Sequence, residues 1–146
     1  MLKTVRAIGI TAAIAFGVAA CNGDTATGVG GLAFEATAAV VPSPTQNVVV
    51  TATITNISSG PVDVQYGCPV LSPVFHTGSL DGPVVYDTRL VFDCAAISVT
   101  KTLDPDEALT LQANASPGLP AGKYYVEAVI AVNGETVSIG AGTVTF

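Results

Sequence analysis

From Leu32 onward the chain is dominated by β-branched residues, broken by turn formers at strand-length intervals, and no window of about ten residues repeats with helical period. Asn47–Asn56 states the pattern most clearly. Val48, Val50, Ala52 and Ile54 fall on one face, and Val49, Thr51, Thr53 and Thr55 on the other. A period of two is the geometry of an antiparallel strand with one face in a core. A chain patterned this way has to bury its apolar faces between sheets.

The same reading places a strand over Leu32–Val41, stopped by Pro42-Ser43-Pro44, and another beginning at Val62, where Val62, Val64 and Tyr66 alternate with Asp63 and Gln65. Residues 67–83 read as loop, because Gly67, Pro69, Pro73, Gly78, Gly82 and Pro83 punctuate them. Shorter strands are expected near Val84–Tyr86, Leu90–Phe92, Ala96–Leu103 and Ala108–Ala113, with Asp104-Pro105-Asp106-Glu107 as a turn. Asn133-Gly134 between two alternating segments predicts a tight hairpin, since both central residues take positive φ readily. Gly140 and Gly142 are expected to loosen or bulge the last strand. About seven to nine strands in one domain predict an all-β fold, an immunoglobulin-like antiparallel β-sandwich, with a small closed barrel as the rival closure. Tyr124, at the start of a late strand, is expected to hydrogen-bond back to the preceding turn, as in a tyrosine corner.

The N-terminus reads as a targeting segment. Lys3 and Arg6 precede an uncharged run from Ala7 to Ala20, shorter than the about 20 apolar residues of a spanning helix and suited to a secretory signal. Val18-Ala19-Ala20-Cys21 resembles the lipobox of bacterial lipoproteins: an aliphatic residue, two small residues, then Cys. The resemblance implies cleavage after Ala20 and lipidation of Cys21. The expected organisation is therefore a lipoprotein signal peptide over residues 1–20, a lipidated Cys and flexible Gly-rich tether over 21–31, and the β-sandwich over 32–146. The implied address is the cell envelope, with the membrane reached through lipid on Cys21. By analogy with lipoprotein sorting, Asn22 in place of Asp favours the outer membrane if the cell has two.

Composition agrees with lipid rather than charge as the anchor. The whole chain has five Lys and Arg against eleven Asp and Glu, a formal charge of −6. Loss of residues 1–20 leaves Arg89, Lys101 and Lys123 against the same eleven acids, a net of −8. Such a chain is not drawn electrostatically to anionic lipid, and it is not a nucleic-acid partner. With Cys21 acylated, Cys68 and Cys94 remain, and outside the cytoplasm two such thiols are expected to pair as a disulfide. No Cys-x-x-Cys motif points to redox chemistry.

Three stretches carry a further resemblance: Val50–Ser58 ahead of Pro61-Val62, Leu103–Leu109 with its Pro105-Asp106-Glu107 turn, and Leu119-Pro120-Ala121-Gly122-Lys123-Tyr124 ahead of an apolar strand. In this order, over about residues 46–132, they resemble the BsuPI-like intracellular proteinase inhibitor family. The resemblance implies an immunoglobulin-like domain and protease inhibition through an exposed loop.

Catalytic chemistry is sparse. His76 is the single histidine and reads as a solvated loop residue; nearby Ser72, Ser79 and Asp81 supply no nucleophile geometry by spacing alone. The acids of Asp104–Glu107 lack a calcium-loop motif, and Gly28-Val29-Gly30-Gly31 lacks the lysine and helix of a phosphate loop. Neither metal nor cofactor is expected. The functional lead is surface recognition of an envelope protein partner by a candidate binding loop between the two cysteines, with Phe75, His76, Leu80, Val84, Val85 and Tyr86.

Overall fold

The computed structural model describes residues 26–91, 94 and 97–146. Nine strands run among them: β1 (Ala26–Val29), β2 (Leu32–Val41), β3 (Asn47–Asn56), β4 (Val62–His76), β5 (Val84–Asp87), β6 (Ser98–Leu103), β7 (Ala108–Ala115), β8 (Lys123–Val132) and β9 (Glu135–Thr145). All pairings are antiparallel. One sheet is ordered β1-β2-β3-β7; the other is β5-β4-β8-β9, with β6 also on β4. The two sheets make a sandwich, not a closed barrel.

From β2 onward, the orders β2-β3-β7 and β4-β8-β9 match the A-B-E and C-F-G pairings of an immunoglobulin-like sandwich. β6 departs from that scheme, because it pairs with β4 rather than with β7. β1 is an added edge strand, and it corrects the expected tether. Residues 26–29 pair with β2, and Gly30 and Gly31, at φ of 58° and 80°, form the two-residue turn. Two glycines at positive φ make a hairpin as readily as a flexible linker.

The core follows from the alternation. Val48, Val50, Ala52 and Ile54 of β3 are fully buried, facing Val126, Ala128, Ile130 and Val132 of β8 in the same cluster. β2 contributes Leu32, Phe34 and Ala36. In β9 the buried set changes parity, from Val137, Ile139 and Ala141 to Val144. A bulge explains it: Val126 pairs with Gly142 and Glu127 with Gly140, so Ala141 is the extra residue. The Asn133-Gly134 turn takes φ of 51° and 74°, as its sequence predicts.

Polar groups close the ends of the sandwich. Tyr124 donates its hydroxyl to Pro120 O at 2.9 Å, the expected link back to the preceding turn. Asn56 is fully buried at the end of β3. Its Nδ2 donates to Leu103 O at 2.9 Å and Gly60 O at 2.8 Å, and its Oδ1 accepts from the Ser58 N–H and hydroxyl. One side chain thereby ties β3 to the end of β6 and to the turn before β4. Asn56→Ala removes four side-chain hydrogen bonds at a fully buried position and is expected to cost about 2–3 kcal/mol. Urea unfolding should show the lower midpoint with an unchanged m-value.

Candidate functional site

β4 is the strand on which the site is built. It runs for 15 residues through a segment whose prolines read as loop. Between Tyr66 and Leu71 it holds three more residues than β8 does between Val132 and Ile130. Pro69 sits inside that bulge, where no ladder donor is needed. Pro73 lies just outside the stretch paired with β5, and its carbonyl accepts from the Thr88 hydroxyl at 2.9 Å. The continuous strand is therefore compatible with both prolines.

This corrects two of the candidate binding residues. Phe75 is fully buried in the core, with its ring edge-to-face on Tyr86 at 5.8 Å. His76 ends β4 rather than standing in a solvated loop, and it is 5% exposed. Its Nδ1 lies 3.0 Å from Gly82 O and its Nε2 3.0 Å from Glu127 Oε2. Both ring nitrogens are thus engaged, and neither is free to activate a hydroxyl. Leu80 is half-buried in the 77–83 turn, which is closed by Thr77 N–H to Pro83 O and Gly82 N–H to Ser79 O. Val84 and Val85 on β5 are exposed, and Tyr86 is half-buried against Phe75.

Other exposed apolar residues follow them. Leu90 is 84% exposed and Val91 58%, while Ile97 is 62% and Val99 43% exposed. The expected strand at Leu90–Phe92 is replaced by a single 3₁₀ turn over Thr88–Leu90; Phe92 lies outside the described residues. Asp87 dictates the turn. Its carboxylate accepts from the Arg89 backbone N–H at 2.9 Å and is gripped by the Arg89 side chain, with Nη2 at 2.6 Å. The Arg89 guanidinium outweighs partial burial and holds the Asp87 carboxyl below its ordinary pKa. Sequence reasoning missed Leu90 and Val91 as surface residues because an apolar pair reads as strand. The signal present was Asp87 placed to cap Arg89.

The disulfide organises this edge. Cys68 on the β4 bulge is bonded to Cys94, with Cα atoms 5.5 Å apart. β5 and β6 lie along the same edge of β4, paired with its two halves, and Cys94 is bonded to β4 at the bulge between those halves. Ile97 and Val99 join Tyr66, Gly67, Cys68 and Val70 in an open groove of about 270 Å³. A second groove of about 240 Å³ runs on the other side of the bulge, between Cys68–Leu71 and Gln112–Asn114 of β7. Among the described residues no three metal-ligating side chains converge. Cys21, the expected lipidation site, lies outside the described residues.

No protein-family model matches the chain, and no curated protein matches it. Among solved structures, the chain resembles a Bordetella pertussis protein provisionally named ApaA, at 18% identity and a TM-score of 0.43 over 77% of this chain and 89% of the other. It also resembles a structural-genomics target, SoR45, at 13% identity and a TM-score of 0.39 over 79% and 84% of the two chains.

The Cys68–Cys94 bond closes a loop across 26 positions. In the chain-entropy model such a link stabilises by about 3–4 kcal/mol. Cys68→Ser with Cys94→Ser should lower unfolding stability by about that amount. Thiol labelling of the unreduced protein should leave both residues unmodified.

Proposed function

We propose that the chain is a lipid-anchored cell-envelope domain that acts without catalysis, as an interaction module, through the disulfide-held edge of its second sheet. The observation that carries this reading is the exposed apolar set Val84, Val85, Leu90, Val91, Ile97 and Val99 along that one edge. Clustered apolar surface on a domain points to a partner. Leu90 and Val91 are held ready for one. The Asp87–Arg89 pair braces the turn that carries them, and the disulfide fastens the chain beyond it. A turn whose backbone is already braced loses less entropy on binding, which favours the side chains it presents as affinity hot spots.

The anchor is read from the lipobox-like Val18-Ala19-Ala20-Cys21. Each acyl CH₂ buried contributes about 0.8 kcal/mol, so two or three chains hold the protein at the bilayer despite its acidity. From Cys21 to Ala26 a fully extended chain covers at most about 17 Å, so the sandwich stands close to the membrane. β1 and the contact edge belong to opposite margins of the fold: β1 ends the first sheet beyond β2, while β5 and β6 lie beyond β4 in the second. That separation leaves the contact edge free for a protein partner. A second reading, inhibition of a protease in the manner of the BsuPI-like family, is favoured by the projection of Leu90 from a braced tip.

Crosslinking in cells should capture an envelope protein. Leu90→Ser with Val91→Ser should weaken that capture about 30-fold or more, the scale of a hot spot, while stability stays within about 0.5 kcal/mol, as for surface changes. Cys21→Ser should abolish labelling by radioactive palmitate and release the protein from the membrane fraction. Inhibition of a subtilisin-like protease by the purified domain, lost in Leu90→Ser, would decide for the second reading; a panel with no inhibition removes it.

A further inference from the structure

We propose that His76 is a proton-operated latch on the loop that leads into β5: doubly protonated it ties Gly82 to Glu127, and after losing one proton it holds only one of them. The argument is a count of donors. Gly82 O is a carbonyl and can only accept, so the 3.0 Å contact requires a proton on Nδ1. Glu127 Oε2 lies 3.0 Å from Nε2, and that contact requires a second proton between the two atoms. A neutral imidazole beside a carboxylate has one proton for two acceptors. The single proton stays on Nε2, because the Glu127 carboxylate is a stronger acceptor than a carbonyl and repels a lone pair, so Nδ1 turns its lone pair toward Gly82 and that contact is the one lost.

Glu127 is the acid in contact with His76. Glu127 reaches it from β8, and Tyr125 is the β8 residue paired opposite it. Lys123 Nζ lies over the Tyr125 ring, 5.4 Å from its centroid. On the β5 side stand Tyr86 and Asp87, with Asp87 already committed to Arg89. Asp81, in the loop itself, is exposed. The His76 imidazole is buried, so water does not replace the lost bond freely.

The position of the latch gives it consequence. Gly82 and Pro83 immediately precede Val84, and Thr77 N–H closes the loop on Pro83 O. Release of Gly82 frees the entry to β5 and therefore the posture of Val84 and Val85. This last step rests on the reading of that edge as the contact surface. The latch closes as pH falls and loosens as it rises, because protonation adds the donor that the second contact needs.

The test is nuclear magnetic resonance of the full ¹⁵N-labelled chain, with the pH raised until the His76 ring signals titrate. Amide protection factors of Thr77 and Gly82 are followed in parallel. Protection is expected to fall about fivefold, the worth of one hydrogen bond, with the midpoint of the His76 titration. Glu127→Gln is the control. Its amide can donate to a neutral Nε2 or accept from a protonated one, so both contacts survive in either state and the loop protection becomes flat with pH. A His76 titration with unchanged loop protection overturns the latch, as does a Glu127→Gln protein that keeps the original pH dependence. If the latch behaves as expected but partner capture ignores pH, the latch stands and the contact-edge reading falls.

Discussion

The sandwich depends on one strand changing its phase. Val64 and Phe75 lie on β4 at positions of opposite parity, yet both are fully buried in the same core. A regular strand with a period of two would turn one of them to solvent. The bulge between Tyr66 and Leu71 supplies the odd number of extra residues that reverses the phase, and the Cys68–Cys94 bond is attached at that point. Below the bulge β4 pairs with β6, above it with β5. The strand thus joins two short edge strands to one continuous inner neighbour, β8.

The same device recurs in β9 on a smaller scale, where Ala141 resets the phase so that Val144 reaches the core. Both bulges cost ladder hydrogen bonds, and polar side chains at the ends of the sandwich offset part of that cost. Asn56 links β3 to β6, Tyr124 closes on Pro120, and Gln46 both donates to and accepts from Leu119. Among the described residues no buried side-chain nitrogen or oxygen lacks a partner. In the turn after β6, Glu107 accepts from the Asp104 N–H and pairs with Lys101. Those contacts hold its carboxyl below the usual range.

These constraints place two kinds of chemistry side by side. The edge beyond β4 carries apolar side chains that the two sheets do not cover, because β5 and β6 are short. Just inside that edge, His76, Glu127, Asp87 and Arg89 form the polar support from which it projects.

Alternation alone located β2, β3, β8 and β9 and the Asn133-Gly134 turn, because each depends on contacts between neighbours of local sequence: a period of two and a dipeptide that accepts positive φ. Tyr124 was legible for the same reason, since its partner Pro120 lies four residues away. Phe75 and His76 were not. Whether a proline ends a strand or sits in its bulge depends on which strand lies alongside, and that is decided by β8, about 50 residues later in the chain. Leu90 and Val91 escaped for the converse reason: an apolar pair is buried only if something covers it, and here a local Asp87–Arg89 cap turns it outward. Local sequence determined the strands and the tight turns; the phase of β4, the burial of His76 and the exposed edge were decided by which distant segments the closed sandwich brought together.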